Sequence, residues 1–230
     1  MNIKSLLAAT FAVASMSTLS MAQTRTIEHE YSEFDAISVS DGFKVSFVES
    51  DGYSAKFKVN DAFESYVQCY VKAGTLYIGV DDKSIPKEVK KSFKGKNSDD
   101  PVLEATVYVP SLKAVTLSDN CTFSCDKDIN APKFTLELSG TSSVSNLNIH
   151  AGESAVITVS KKAKLSSVNV KAEDKVTVNA EGNASVVLEY SAKTLEVNNS
   201  GSAELAINGQ AETVSVSTAG SAQLSPSGHA

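Results

Sequence analysis

The chain has 230 residues, of which 42% are hydrophobic, and a formal net charge of −6 at pH 7. This negative balance, with Arg25 as the only arginine, argues against a nucleic-acid partner, because such proteins neutralise phosphates with clustered Lys and Arg. The length is sufficient for one sizeable domain that buries a core without the help of disulfides.

The N-terminus has the pattern of a secretory signal peptide. Lys4 precedes an apolar run from Leu6 to Leu19, and Ser20-Met21-Ala22 fits a small-x-small cleavage site. The run is too short to span a membrane as a helix, and Gln23 stands where a lipoprotein would need cysteine. We therefore predict that residues 1–22 are removed on export to the periplasm, the cell surface or the medium, and that 23–33 form an N-terminal tail.

The next segments predict β-strands, because apolar residues alternate with polar ones at a period of two. Such runs are Ile37-x-Val39, Phe43-x-Val45-x-Phe47, Phe57-x-Val59, Val67-x-Cys69-x-Val71, Leu76-x-Ile78-x-Val80 and Val107-x-Val109. Asp41-Gly42 is a tight-turn signal. The bulky residues here predict a less regular N-terminal β layer that caps one end of the domain.

Residues 82–101 read as an insertion with little apolar content. Its lysines are Lys83, Lys87, Lys90, Lys91, Lys94 and Lys96. We expect a protruding loop or one short helix beginning near Pro86. A solvated insertion is the preferred interpretation, and a basic patch for an anionic glycan or a lipid head group is the alternative.

Residues 116–224 repeat at intervals of about 20 residues, and three columns of residues align across the repeats. An apolar residue precedes each turn at Leu117, Leu138, Val159, Val178, Val197 and Val216; a small residue follows it at Cys121, Ser142, Ala163, Ala184, Ala203 and Ala222; and a large one follows at Phe123, Val144, Leu165, Val186, Leu205 and Leu224. Turn-forming residues such as Gly140, Gly182 and Gly201 lie between the strands.

A unit of this size cannot bury its apolar face alone, so stacked parallel coils are expected to pile equivalent residues into ladders. We predict an all-β, right-handed parallel β-helix over 34–224 as a single solenoid domain, in preference to a β-sandwich. A C-terminal tail follows at 225–230. The last coil has no evident cap, so Pro226 or another subunit would have to protect its edge, and a homo-oligomer is one outcome.

These motifs resemble the putative auto-transporter adhesin, head GIN domain family of secreted bacterial proteins. The resemblance rests on 34–39 leading into Gly42-Phe43-x-Val45, on Gly74-Thr75-Leu76-x-Ile78, on 107–112 and on later turns such as 139–142. It covers about residues 34–224. It implies a right-handed parallel β-helix, a surface or periplasmic location and an adhesin role.

Some β-helix proteins are polysaccharide lyases or glycosidases, and such an enzyme requires a catalytic set. A lyase commonly uses an arginine base, and Arg25 lies in the predicted tail. A glycosidase needs two convergent carboxylates; the candidates are Asp126 with Asp128, and Glu173-Asp174, which we interpret as solvated turn residues. We predict no catalytic residue.

Metal, cofactor and disulfide sites are also not expected. The segment 126–137 imitates a calcium loop but has Ala131 where the loop needs glycine. The histidines, His29, His150 and His229, are too scattered for a zinc cluster or a catalytic triad. The cysteines, Cys69, Cys121 and Cys125, are expected to be free thiols.

The favoured function is therefore a non-catalytic, exported binding or adhesin-like protein, or an envelope-associated one, that presents a polar β-helix surface to a glycan or an envelope protein. A polysaccharide-active lyase or glycosidase is the alternative. Tyr190 is the one aromatic residue expected on a regular coil face, where it either contacts a ligand or packs against the coil. The residues that bind a partner are not identified by the sequence.

Overall fold

A computed structural model describes residues 23–92, 101–221 and 223–226, so the predicted signal peptide lies outside the described residues. The structure is nearly all β, with 63% strand and 4% helix. Its strands are β1 Thr24–Glu30, β2 Ala36–Val39, β3 Lys44–Glu49, β4 Ser54–Asn60, β5 Val67–Lys72, β6 Thr75–Val80, β7 Leu103–Val109, β8 Ala114–Leu117, β9 Thr122–Cys125, β10 Ile129–Leu138, β11 Ser143–Val159, β12 Lys164–Ala172, β13 Lys175–Ala180, β14 Ser185–Ser191, β15 Thr194–Asn199, β16 Glu204–Gln210, β17 Thr213–Thr218 and β18 Gln223–Pro226. A 3₁₀ turn at Glu64–Tyr66 and helix α1 at Lys87–Ser92 complete the elements.

The strands form two series of hydrogen-bonded neighbours. The first sheet has the order β5, β6, β2, β8, β10, β11, β13, β15, β17. The second has the order β1, β4, β7, β3, β9, β11, β12, β14, β16, β18. The long strand β11 contributes its first part to the second sheet and its last part to the first. From β8 onward all neighbours are parallel, which confirms a β-solenoid, here of about five turns.

Alternation of side chains across each strand produces the dry interior. In β10, Phe134, Leu136 and Leu138 are buried, whereas Glu137 points outward and is exposed. The predicted small column is buried at Cys121, Ser142, Ala163, Ala184 and Ala203, and the predicted large column is buried at Phe123, Val144, Leu165, Val186 and Leu205. The sixth member of each column, Ala222 and the Leu224 side chain, lies outside the described residues.

The apolar column before the turns is correct only in part. Leu117, Leu138 and Val159 do stack, but the residue above Val159 is Ala180, followed by Asn199. The predicted member Val178 lies instead above Ile157 and below Val197. The prediction was wrong by two residues at this step, and because a shift of two preserves the face of a strand, every member still points inward.

Two local changes shorten the coil from 21 residues, between Val159 and Ala180, to 19 residues, between Ala180 and Asn199. Ser167 has a φ of 54°, and a register shift in the pairing of β12 with β14 lies between Leu165 and Val168. The second change is at the following turn, where three residues separate Lys171 from Lys175 and only two separate their partners Ser191 and Thr194. Each change removes one residue from the next coil.

The turns on one edge of the solenoid stack on one another in the left-handed backbone conformation. Positive φ recurs at Asp119, Gly140, Lys161, Gly182, Gly201 and Gly220. The carbonyl of each of the first five accepts a hydrogen bond from the next turn, for example from Ser202 N to Gly182 O at 2.7 Å and from Ser221 N to Gly201 O at 2.8 Å. At Gly140 and Gly201 this contact leaves little room for a side chain, whereas Asp119 and Lys161 carry one at the equivalent positions.

The predicted N-terminal β layer lies at one end of both sheets. Antiparallel pairs, β1 with β4 and β5 with β6, replace the parallel pairing of the coils. Residues 24–30, predicted as part of a tail, form strand β1, and β18 extends to Pro226, into the predicted C-terminal tail. The expected short helix after Pro86 is present as α1.

Candidate binding surface

The outer face of the first sheet carries one continuous row of polar side chains. The register places one outward residue of each strand beside its counterpart on the next, and we call these residues the polar row: Ser38, Thr116, Glu137, Thr158, Asn179, Asn198 and Ser217. With a strand spacing of about 4.8 Å, the row is about 29 Å long. A row of this length is suited to an extended ligand.

Hydrogen bonds fix the side chains at one end of the polar row. Asn198 Nδ2 donates to Asn179 Oδ1 at 3.0 Å and to Glu196 Oε1 at 3.3 Å, and Asn179 Nδ2 donates to Thr158 Oγ1 at 3.3 Å. Lys175 Nζ forms an ion pair with Glu196 Oε2 at 2.5 Å. The hydrogen bonds that Lys175 and Asn198 donate to the Glu196 carboxylate lower its pKa. An open groove of 450 Å³ includes the last four members of the row in its lining. This end therefore offers ordered amides and a fixed carboxylate.

Two tyrosines extend the polar row at its opposite end. Tyr77 lies beside Ser38 in the register, and Tyr70 lies opposite Tyr77 in the antiparallel pair of β5 and β6. Their ring centroids are 5.2 Å apart with an interplanar angle of 15°, so the rings are stacked. Tyr70 is 50% exposed. The face thus combines an aromatic end with an amide-rich end.

A second open groove, of 820 Å³, follows the turns between the second sheet and the first. Its outward residues Asn130, His150, Lys171 and Ser191 lie in register with one another. Charges of both signs line it, which does not select one sign of ligand.

The carboxylates considered as catalytic candidates lie at or near this groove, and two of the four, Asp128 and Asp174, make exposed contacts. Asp128 accepts a hydrogen bond from Asn148 Nδ2 at 2.9 Å, and its other oxygen is 3.7 Å from His150 Nε2. Asp174 pairs with Lys193 Nζ at 2.9 Å. Asp126 and Glu173 are exposed. Exposed pairs of this kind contribute about 0–1 kcal/mol each, so they are surface contacts.

The other residues considered for metal or nucleophile chemistry are dispersed. His29 lies on β1, His150 on β11, and His229 lies outside the described residues. Glu137 belongs to the polar row, whereas Asp126 and Asp128 lie in the turn before β10, and Ala131 lies within β10. Within the described ranges, no three His, Cys, Asp or Glu side chains come together as metal ligands.

The three cysteines are free in the structure. Burial raises the pKa of the Cys121 thiol to about 11, and burial likewise raises that of Cys69 to about 11. Cys125 Sγ donates a hydrogen bond to Lys127 O at 2.9 Å. A raised thiol pKa means a low thiolate fraction at neutral pH, so these thiols are poor nucleophiles.

The lysine-rich insertion and the remaining helical structure offer little further. In α1, Lys90 Nζ pairs with Asp82 at 2.8 Å. Lys94 and Lys96 lie outside the described residues. Among the described residues, no helix has the length and hydrophobicity needed to cross a bilayer.

Sequence reasoning missed the tyrosine pair and named Tyr190, which is half-buried and packs against the core cluster. A signal for the pair was present, because Ala73-Gly74 separates two alternating runs by two residues, as in a tight hairpin. Such a hairpin pairs Lys72 with Thr75 and, two steps further, Tyr70 with Tyr77.

Comparison with known proteins relates most of the described chain to one family and one fold. The family model described as "Putative auto-transporter adhesin, head GIN domain" matches residues 33–156 and 146–228. No match was found among curated proteins.

Solved structures with a similar fold include proteins from Bacteroides and Parabacteroides. A putative adhesin from Bacteroides fragilis is 14% identical, with a TM-score of 0.62, and the match covers 89% of this chain and 97% of that one. A putative adhesin from Parabacteroides merdae is 15% identical with a TM-score of 0.48, covering 90% and 97%. A protein described as a putative lipid binding protein, from Parabacteroides distasonis, is 20% identical with a TM-score of 0.48, covering 90% and 97%. At this identity the first structure supports the fold alone.

Proposed function

Because the chain belongs to the putative auto-transporter adhesin, head GIN domain family, we propose that it is a non-catalytic, exported, adhesin-like protein whose polar row binds a glycan or a protein of the cell envelope. The observation that carries this proposal is the continuity of the row. Side chains from seven strands present hydroxyl, amide and carboxylate groups along one line. Many weak contacts along such a line add up to useful affinity when the ligand is long.

The chemistry of the exposed groups supports binding over catalysis. A glycosidase needs two carboxylates at a fixed separation across a bound sugar, with one pKa raised. Glu196, the carboxylate held at the end of the row, has a lowered pKa and is engaged by Lys175, so it is not placed to act as a general acid. A hydrolase or lyase would release reducing ends or unsaturated products from polysaccharides, and their appearance would overturn the non-catalytic proposal.

Export is part of the same proposal. The predicted cleavage after Ala22 would place Gln23 at the mature N-terminus, immediately before strand β1. N-terminal sequencing of protein recovered from the periplasm, the cell surface or the medium tests this. A first residue other than Gln23, or retention of the chain in the cytoplasm, would contradict it.

The binding proposal is tested by screening the chain, expressed with its own N-terminal segment, on a glycan array and against envelope protein extracts fractionated to identified components. The matched variants are a double substitution in the polar row, Asn179→Ala with Asn198→Ala, and one on the second sheet, Asn169→Ala with Asn208→Ala. We expect the first pair to weaken saturable binding by about tenfold, which corresponds to about 1.4 kcal/mol.

The second pair serves as the control, because Asn169 and Asn208 lie on strands of the second sheet. Equal losses in both variants would show that the polar row is not the binding surface. A screen without saturable binding to any glycan or envelope protein would contradict the function itself.

We further propose that the chain self-associates through β17, which is an edge strand of the first sheet among the described residues. Val214 and Val216 continue the inward positions of Leu195 and Val197 but are 54% and 45% exposed. The segment 213–218 contains neither a charge nor a proline, which are the usual protections of an edge. An antiparallel two-fold pairing centred on Ser215 would set Val214 of one copy against Val216 of the other.

Light scattering of the chain across a range of concentrations tests this pairing. We expect a dimer mass that Val216→Lys reduces to that of a monomer, because a buried unpaired ammonium opposes the contact. Val48→Lys is the control, since Val48 is 41% exposed on β3. A monomer mass at every concentration would contradict the proposal.

A further inference from the structure

We propose that Tyr70, Tyr77 and Gly79 form a subsite for one neutral pyranose ring of a glycan, at the aromatic end of the polar row. This inference rests on the proposed function and deepens it, because it assigns a ligand class and a contact point to the same face. The subsite has three parts: an aromatic platform, a floor without a side chain, and a polar rim.

The platform is built by the hairpin of β5 and β6. Its two-residue turn, Ala73-Gly74, has φ angles of 50° and 75°, which match the type I′ turn that joins twisted strands tightly. The resulting register sets Tyr70 opposite Tyr77 and stacks their rings. Two stacked rings on a short hairpin form a rigid surface that loses little conformational entropy when a ligand binds.

One side of the platform is open to a ligand. In the described part of the chain, β5 has a register only with β6, so no paired strand lies beyond Tyr70 on the side opposite Tyr77. Half of the Tyr70 surface is exposed, so a ligand can reach its ring.

The floor beside the rings is Gly79. A Cβ atom at this position would lie 2.5 Å from Ser40 Oγ and 2.8 Å from Asp41 Oδ2, so a side chain cannot be added without displacing those groups. The Ser40 and Asp41 side chains pack over Gly79, and a cavity of 100 Å³ beside them is bordered by Gly79, by both tyrosines and by Gln68, which pairs with Gly79 in the register. The cavity is large enough for one substituent of a ring that lies on the platform.

The rim supplies hydrogen-bonding groups at fixed positions. Asp41 Oδ2 accepts hydrogen bonds from Ser40 Oγ at 2.6 Å and from Val80 N at 2.9 Å, which fix the carboxylate. The Gln68 amide and the Ser38 hydroxyl also border the cavity. Such a group of one carboxylate, one amide and hydroxyls can accept from and donate to neighbouring sugar hydroxyls.

The combination selects a neutral sugar over other ligands. A pyranose has an apolar face for an aromatic ring and hydroxyls at its edge for the rim, the mix of apolar wall and few placed polar groups found in ligand sites. An apolar peptide side chain would remove water from Asp41 and Gln68 without replacing their hydrogen bonds. An acidic sugar would place its negative charge near the carboxylate of Asp41, which would repel it. Asp119 adds a second carboxylate nearby, because its Oδ2 accepts a hydrogen bond from Asp41 N at 3.4 Å.

The experiment titrates the whole chain with cellohexaose, laminarihexaose and an α-linked mannohexaose, and with hexagalacturonate as the anionic probe. Calorimetry gives the affinity, and because the chain has seven tyrosines and no tryptophan, its intrinsic fluorescence reports tyrosine directly. We expect binding of at least one neutral hexaose with a change in tyrosine emission, and tighter binding of that hexaose than of hexagalacturonate.

Three variants locate the binding. Tyr70→Ala and Gly79→Val should each weaken association by about tenfold, about 1.4 kcal/mol. Tyr70→Phe should retain the affinity, since it keeps the ring, and Tyr108→Ala should retain it because Tyr108 lies on β7 of the second sheet. If Gly79→Val unfolds the chain in a thermal melt, Tyr70→Ala and Tyr70→Phe decide.

The outcomes separate the subsite from the function. A neutral hexaose that binds the chain and the Tyr70→Ala variant equally overturns the subsite and leaves a glycan-binding protein. Preference for hexagalacturonate overturns the neutral-sugar assignment. No binding of any hexaose overturns the subsite, while the envelope-protein screen still tests the function.

Discussion

Substitution of Gly201 by alanine tests the stacked turns, on which the register of both sheets depends. Gly201 has a φ of 73°, and an added Cβ would lie 2.9 Å from Gly182 N and 3.0 Å from Gly182 O. The left-handed conformation costs a residue with a side chain about 1–2 kcal/mol. Overpacking against a fixed backbone adds about 1–3 kcal/mol.

A smaller effect opposes these costs, because alanine restricts the unfolded chain and so stabilises the folded one by about 0.4–1 kcal/mol. We therefore expect Gly201→Ala to lower the free energy of unfolding by about 2–4 kcal/mol. With an m-value of about 2 kcal/mol/M, the urea midpoint should fall by about 1–2 M.

The matched control is Gly152→Ala. Gly152 does not have a left-handed φ, and its added Cβ would meet only Pro132 Cα at 3.7 Å, an ordinary contact. Its free energy of unfolding should change by no more than about 0.5 kcal/mol, so its urea midpoint should move much less than that of Gly201→Ala. Urea unfolding of the two variants is followed by circular dichroism. Equal midpoints at an unchanged m-value would refute the stacked-turn explanation.

Three other predictions address single residues. Asn199 is buried and donates hydrogen bonds to Ala203 O at 3.4 Å and to Gln223 O at 3.1 Å. Asn199→Ala should therefore lower the free energy of unfolding in urea by about 1–2 kcal/mol. Asn198→Ala, in the exposed polar row, should lower it by less than about 0.5 kcal/mol. Equal costs would contradict this role. The pKa of the Cys121 thiol is raised to about 11, so its thiolate is scarce at pH 8. A disulfide reagent should therefore label Cys121 only as the chain unfolds or as the pH approaches about 11. Rapid labelling of the native chain at pH 8 would contradict the burial of this thiol. Lys161→Gly should change stability by less than about 1 kcal/mol, since relief of its φ of 60° is offset by a freer unfolded chain, and a larger loss would show that the lysine side chain itself stabilises the turn.

The sequence predicts the solenoid because two independent patterns agree. Alternation at a period of two assigns the buried face of each strand, and small residues recur wherever the chain turns a corner. The corner leaves room only for a small side chain, so the column from Cys121 to Ala203 has the correct register. Successive members of this small column are 21 residues apart as far as Ala184, whereas the predicted apolar column keeps that spacing only as far as Val159, one coil earlier.

The apolar column slips for a physical reason. Alternation alone allows any shift by two residues, and the true members Ala180 and Asn199 do not look like core residues. Asn199 is accommodated because its amide nitrogen bonds backbone carbonyls of two turns. A polar residue in a core position is recognised only when its partners are known.

Strand β1 and the tyrosine pair lie where tertiary contacts decide the structure. In β1, Ile27 is the only strongly apolar residue, and the strand forms because β4 offers an open edge 30 residues later in the chain. Likewise, the carboxylates at the second groove pair with lysines from neighbouring coils, as Asp174 does with Lys193. Such contacts follow from the register, which the sequence fixes only approximately.

Disulfide trapping between engineered cysteines on the outer face of the first sheet tests the register most directly. The structure places Thr158 beside Asn179, and strands about 4.8 Å apart allow a disulfide, so Thr158→Cys with Asn179→Cys should cross-link under mild oxidation and appear as one linked peptide by mass spectrometry. Alignment of Val178 over Val159 would instead place Asn179 beside Ser160, about 8 Å away in the structure and beyond disulfide reach. Efficient cross-linking of Ser160→Cys with Asn179→Cys, and none of the first pair, would contradict the stacking from which the polar row is derived.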